Sequence, residues 1–180
     1  ENNVIHGMEL PNPGNSSPAS YGILVWGGVD VNGVTITGNE IYDINLFGIS
    51  ISEQVENVTI QDNYIHDLQY LVATPDELTE VLLGMDLGLQ YDPEWWEAQL
   101  EGTGLSIGSE YWISVGVFIS LGNGVNVISN DFGNVSVGCA QALSLGSFSG
   151  NTFDSVSTMM IDANPEYGTD EDYFVIGVDN

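Results

Sequence analysis

The stretch VTITGNEIYDI, residues 34–44, alternates apolar and polar residues, stops at Asn39, and resumes with apolar residues two and five positions later. Twenty-four residues on, VTIQDNYIHDL at 58–68 repeats the layout around Asn63. The pattern N-x-[apolar]-x-x-[apolar] recurs at Asn3, Asn39, Asn63, Asn130 and Asn151, with spacings of 36, 24, 67 and 21. Two positions after these anchors stand Ile5, Ile41, Ile65, Phe132 and Phe153, and five after them Met8, Ile44, Leu68, Val135 and Val156. Three positions before the last four anchors are Ile36, Ile60, Val127 and Phe148, and five before are Val34, Val58, Val125 and Gly146. Gly146 alone breaks these columns.

A unit of 21 to 24 residues, lengthened twice by insertion, indicates a solenoid. Period-two alternation, frequent β-branched residues and Gly or Asn at the breaks favour strands over helices. A third strand per unit is read at Gly22-Ile23-Leu24-Val25, Gly48-Ile49-Ser50-Ile51 and Gly116-Val117-Phe118-Ile119, with GCAQAL at 138–143 in the matching place of the next unit. The expected fold is all-β, a right-handed parallel β-helix of about five coils over residues 1–180. Asn39, Asn63, Asn130 and Asn151 are expected at a corner, where Asn tolerates left-handed backbone geometry. Stacked on successive coils about 4.8 Å apart, their amides can bond as a ladder.

These G-I-x-I, V-x-I and N-x-I segments resemble the repeats of the pectate-lyase-like superfamily of right-handed parallel β-helices, over most of residues 1–68 and 114–161. The resemblance implies architecture. The superfamily holds lyases, hydrolases, epimerases, phage adhesins and catalytically silent surface proteins, so it implies no single activity. A lyase of that kind would use a basic residue, usually Arg, with calcium held by carboxylates. This chain has no Lys or Arg, so that mechanism is not available to it.

The absence of Lys and Arg is the most unusual feature of the composition, since about twenty basic residues are expected for this length. With 26 acidic residues the formal net charge is −26, which excludes neutralisation of a phosphate backbone, and no nucleic-acid partner is expected. Charged residues are nonetheless only 14% of the chain, so the surface is largely neutral Asn, Ser, Thr, Gly and Gln. Such a surface offers no site to trypsin-like proteases and suits a persistent extracellular material. The chain begins at Glu1, shows no signal peptide and has no apolar run long enough to span a membrane, so it is expected to be a soluble, processed or excised segment. Cys139, the one cysteine, is expected as a small core residue.

Two segments leave the repeat. Residues 11–20, PNPGNSSPAS, are turn-rich and are expected as an exposed loop. Residues 69–113 form a longer insertion. Within it Thr74-Pro75-Asp76-Glu77 has the form of a capping box, and Asp92-Pro93-Glu94 signals a second short helix ending at Gly102. Trp95 and Trp96 in that helix have three readings: packing on the solenoid flank, anchoring a neighbouring subunit, or stacking on sugar.

Asp43 and Asp67 share a column four residues after Asn39 and Asn63, at about the 5 Å spacing of retaining glycosidases. The alternative is a pair of turn-capping side chains. His6 and His66 share a column with Tyr42 between them, two coils or about 10 Å apart, too far to ligate one metal. With 26 carboxylates and no compensating side-chain cation, divalent ions such as calcium are expected to stabilise the chain. The candidate ligands are Asp43, Asp67 and the tail residues Asp170 and Asp172. Sequons at Asn15, Asn57 and Asn134 make these the candidate glycosylation sites if the protein is exported, with Asn15 in the most loop-like context.

The leading functional expectation is an extracellular or cell-surface structural protein, a self-assembling subunit of a filament, sheath or surface layer rather than an enzyme. The alternative is a carbohydrate-active enzyme or glycan-binding adhesin on the same scaffold. The tail YFVIGVDN, residues 173–180, is strand-like, and Tyr173 and Phe174 are candidate interface residues. Since neither end shows a capping helix, subunits are expected to join end to end, or one chain's tail strand to complete a neighbour's first coil.

Overall fold

The computed structural model describes residues 1–8, 20–27, 31–73, 106–107, 110–142, 144–163 and 174–177. The first coil holds β1 (Val4–Met8) and β2 (Ser20–Trp26), and the second holds β3 (Thr35–Thr37), β4 (Glu40–Ile44) and β5 (Leu46–Ser52). The third starts with β6 (Thr59–Gln61) and β7 (Tyr64–His66), departs through β8 (Leu71–Ala73), β9 (Ser106–Ile107) and β10 (Glu110–Ile113), and closes with β11 (Val115–Ser120). The fourth is β12 (Asn123–Ile128), β13 (Asp131–Gly133) and β14 (Val137–Ala142). The fifth is β15 (Leu145–Ser149), β16 (Thr152–Asp154) and β17 (Thr158–Ala163), followed by β18 (Phe174–Gly177).

Like segments stack on like. The V-x-I strands form the sheet β3-β6-β12-β15, the N-x-I strands form β1-β4-β7-β13-β16, and the G-I-x-I strands form β2-β5-β11-β14-β17, with β18 at its far edge. Coil-to-coil pairing is parallel and keeps the sequence columns in register, as in Ile5↔Ile41, Ile41↔Ile65, Ile65↔Phe132 and Phe132↔Phe153. The chain is a right-handed parallel β-helix.

The columns read from sequence form the core. Ile36, Ile41, Ile44, Ile49, Ile51, Val58, Ile60, Ile65, Val117, Ile119, Val125, Val127 and Cys139 belong to one buried cluster. Each fully buried aliphatic side chain contributes about 1.5–3 kcal/mol, and repetition sums these contributions along the axis. On the fourth and fifth coils Phe replaces Ile, and the rings of Phe132 and Phe153 stack with centroids 5.3 Å apart. The glycine that opens each G-I-x-I strand is required by close approach: a Cβ at Gly48 would lie 2.7 Å from both Gly116 O and Ile65 Cγ2. Gly146, the gap in the apolar columns, faces a shift of register between Asn123 and Val125, and a Cβ there would collide with Val125 O. A bulge therefore explains the one irregular position.

The Asn anchors correct one expectation. Left-handed backbone is found not at the ladder residues but at the residue before each of them: Asn2, Gly38, Asp62, Ser129 and Gly150, with φ of 55, 69, 53, 53 and 66°. The preceding residue turns the corner, and the Asn is left free to use its amide across coils.

Both long departures leave one corner, between the N-x-I and G-I-x-I sheets. Chain leaves it after β1 on the first coil and after β7 on the third, whereas Asn45 and Ser136 turn the same corner within a few residues on the second and fourth. The flanks of the 69–113 insertion are β-structure: β10 runs antiparallel to both β8 and β9, pairing Trp112 with Val72 and Tyr111 with Ser106. The helices expected within 74–102, Trp95 and Trp96, and most of the 11–20 loop lie outside the described residues. Strands β5 and β11 are buried at every position, on the outer face as well as the core face.

The tail strand also departs from expectation. Instead of extending free, β18 lies antiparallel on β17 of its own chain, pairing Phe174 with Asp162 and Val175 with Ile161. It satisfies the edge groups that a sixth coil would have used. Tyr173 lies outside the described residues. Among the described residues no helix is long and apolar enough to cross a membrane.

Candidate functional site

The outer face of the N-x-I sheet gathers the chemistry-bearing side chains. Alternation buries Ile41, Ile65 and Phe132 and turns their neighbours outward in two columns: Val4, Glu40, Tyr64, Asp131 and Thr152, then His6, Tyr42, His66, Gly133 and Asp154. His6 stacks on Tyr42 and Tyr42 on His66, with ring centroids 4.8 and 5.1 Å apart. Tyr64 leaves its own column to cover His66 at 4.0 Å. The next residue in the histidine column is Gly133, where a Cβ would come into ordinary contact with Tyr64 Cε2 and Oη at 3.6 Å. The sequence columns predicted the His6, Tyr42, His66 order. They did not predict Tyr64, which belongs to the neighbouring column.

His66 ties this face together. Its Nδ1 lies 2.8 Å from Asp67 Oδ2, and its Nε2 lies 3.4 Å from Glu40 Oε1 on the coil before. From the coil after, Asn134 Nδ2 donates to Asp67 Oδ1 at 2.7 Å. The Asn134 amide, and after it His66, hold the Asp67 carboxyl below the usual carboxylate range by hydrogen-bonding its charged form.

Asp43 and Asp67 occupy one corner column, with Gly7 before them and Asn134 and Ser155 after, and every member is left-handed, with φ between 48 and 71°. Gly, Asp and Asn are the residue types that accept this conformation. Each carboxylate is engaged with its own neighbours: Asp43 Oδ1 accepts from Gln69 Nε2 at 2.6 Å, while Asp67 binds His66 and Asn134. Both carboxylates therefore sit at left-handed corner positions and bond neighbouring side chains. Among the described residues no group of three or more His, Cys, Asp or Glu side chains could hold a metal ion. Asp170 and Asp172 lie outside them.

The Asn ladder is present and directional. The backbone N and Nδ2 of Asn3 both donate to Asn39 Oδ1 at 3.1 Å, and Asn39 donates in the same way to Asn63 at 3.0 and 2.8 Å. Asn63 repeats the pattern onto Asn130, and Asn130 onto Asn151. Spare amide hydrogens reach carbonyls of the coil before, Asn63 to Ile36 O and Asn130 to Ile60 O. Asn39, Asn63 and Asn130 are buried with these bonds made. Of the sequons, Asn57 and Asn134 stand on exposed corners, and Asn15 lies outside the described residues.

At the fifth coil, Phe148, Asn151, Phe153, Met159 and Met160 line a recess of about 210 Å³ at the end of the core. Compared with known proteins, the chain matches no protein family, no curated protein and no solved structure.

Proposed function

We propose that this chain is an extracellular or cell-surface structural protein of the pectate-lyase-like architecture, a self-assembling subunit of a filament, sheath or surface layer. The observation that carries the reading is the continuity of the stacked columns. Amide and aliphatic ladders run through the coils in register, which makes a rod cross-linked internally along its length. Rigidity by repetition is what a load-bearing element needs. A surface with no lysine or arginine supports persistence outside the cell.

The details favour a restricted form of end joining. Among the described residues β15 and β16 are paired on one side only, and the recess beside them is apolar, whereas β18 occupies the edge of the third sheet. Contacts between subunits therefore draw on the V-x-I and N-x-I sheets, with lateral contacts from the 69–113 insertion. Electron microscopy and light scattering of the purified chain test the reading: ordered polymers support it, and a monomer at high concentration overturns it.

One observation favours a glycan-binding alternative. Tyr64 is half-exposed on a face that also carries Asp131 and Asp154, and a ring beside carboxylates suits the hydroxyls and C–H faces of a neutral sugar. Retention of a neutral polysaccharide that is lost in Tyr64→Ala would establish it.

A further inference from the structure

We propose that Asn57 is an N-glycan attachment site of the folded protein, and that Asn134, the other described sequon, is not. The proposal rests on the extracellular reading above, because it needs passage through a secretory pathway. The acceptor amide would displace pyrophosphate from C1 of a lipid-linked oligosaccharide: the N–C bond forms, the C–O bond to pyrophosphate breaks, and the amide proton leaves to base.

The two sequons differ in what a glycan would break. Asn134 Nδ2 is the donor to Asp67 Oδ1 at 2.7 Å, the bond that joins the fourth coil to the third on the outer face. The hydroxyl of its sequon, on Ser136, is buried and donates to Ser114 O at 2.8 Å, closing the corner where the 69–113 insertion returns. A glycan on Asn134 leaves that nitrogen a single hydrogen and sets a sugar against the Asp67 carboxylate that it bonds. Asn57 has little to lose. Among the described residues its Nδ2 makes one bond, exposed, to Asn32 Oδ1 at 3.2 Å, and its backbone N is already fixed to Asn123 O at 2.8 Å.

Space points the same way. Asn57 shares its left-handed corner column with Gly33 on the coil before and Gly124 on the coil after, with φ of 75, 52 and 67° along the column. At Gly124 a Cβ would stand 3.0 Å from Asn57 Oδ1 and crowd the amide, and at Gly33 a Cβ would meet nothing within 4 Å. Within that left-handed column Asn57 thus carries the side chain and glycine stands on the coil either side. The Thr59 side chain of its sequon lies on the outer face of β6, between buried Val58 and Ile60.

The test is secretion of the full chain, carrying Asn15→Gln, from a eukaryotic host, with peptide-level mass spectrometry of the folded product and its melting temperature before and after enzymatic deglycosylation. A glycan at Asn57, absent in Asn57→Gln, with melting unchanged by its removal, is the expected result. Asn57 unoccupied, or Asn134 occupied as fully as Asn57 in folded material, overturns the proposal. Because the host supplies the pathway, failure here leaves the structural reading standing, and that reading fails only on the assembly measurement.

Discussion

Asn63 and Asn130 are 67 residues apart in the chain, yet the backbone N and the side-chain Nδ2 of Asn63 both bond Asn130 Oδ1, at 3.0 and 2.9 Å. The insertion between β7 and β11 is spanned by this contact, so the ladder holds the register where the chain itself is interrupted.

Replacing Asn63 by Leu removes the acceptor for both donors of Asn39 and orphans buried groups on either side. Each orphaned group costs about 1–3 kcal/mol, so a total loss near 2–4 kcal/mol is expected. Thermal melting by circular dichroism should fall by about 5–15 °C. Asn3→Ala, at the exposed end of the ladder, should lower it far less. Equal losses for the two variants would show that the buried ladder does not fix the register.

Much of this was legible beforehand because a solenoid writes its core as columns. Ile41, Ile65 and Phe132 stand at one place in their repeats, and that place is the core. The corners were harder to read. Left-handed geometry belongs to Gly38, Asp62 and Ser129 rather than to the Asn that follows each, and a turn-forming residue type does not say which of two neighbours turns. The Asp43 and Asp67 column is legible in the sequence, but Gln69 and Asn134 each bond it from the next coil, which no local pattern links. The tail strand's direction was also beyond sequence: VIG pairs as well antiparallel as parallel, and the hairpin-like return on β17 is a tertiary choice.

Asp67 sets the sign of one pH effect. Its carboxyl is held low in the folded chain, so its contribution is present above the ordinary carboxylate value of about 3.9 and disappears as pH falls through the folded value. Asn134→Ala, which removes the largest cause, should flatten the acid limb of a melting-temperature profile below about pH 4 relative to the natural chain. His66→Gln should do so less. The comparison between chains isolates this site from the general relief of carboxylate repulsion in acid. Superimposable acid limbs would show that the Asn134 contact does not stabilise the ionised carboxylate.

Gly48 and Gly133 separate close packing from mere absence of a side chain. At Gly48 a methyl group meets Gly116 O and Ile65 at 2.7 Å, whereas at Gly133 its nearest neighbour is His66 Cβ at 3.3 Å. Gly48→Ala is expected to cost about 1–3 kcal/mol through overpacking, and Gly133→Ala less than about 1 kcal/mol. Denaturant midpoints at constant slope measure both. A Gly133→Ala loss as large as that of Gly48→Ala would contradict the packing order.

A net charge of −26 without lysine or arginine makes repulsion a standing load on the fold. Raising sodium chloride from about 0.01 M to about 1 M shortens the screening length from about 30 to about 3 Å. The melting temperature should rise over that range. Calcium at matched ionic strength then separates screening from specific binding: an added rise that EDTA reverses assigns bound cations, and equal curves assign screening alone.

The final prediction concerns β18. Because it runs antiparallel on β17, it covers the one edge of the G-I-x-I sheet that a further parallel coil would need. Uncovered strand edges recruit other chains, and a strand of opposite direction is an effective block. Deleting residues 173–180 therefore exposes β17 beside the already one-sided β15 and β16, and completes an end on which another solenoid can stack. Association should increase, seen as concentration-dependent light scattering and longer particles by electron microscopy, while the β-rich circular dichroism spectrum is kept. If the shortened chain instead assembles less than the full chain, β18 is a joining strand rather than a cover, and the tail's own-chain pairing is exchanged between subunits.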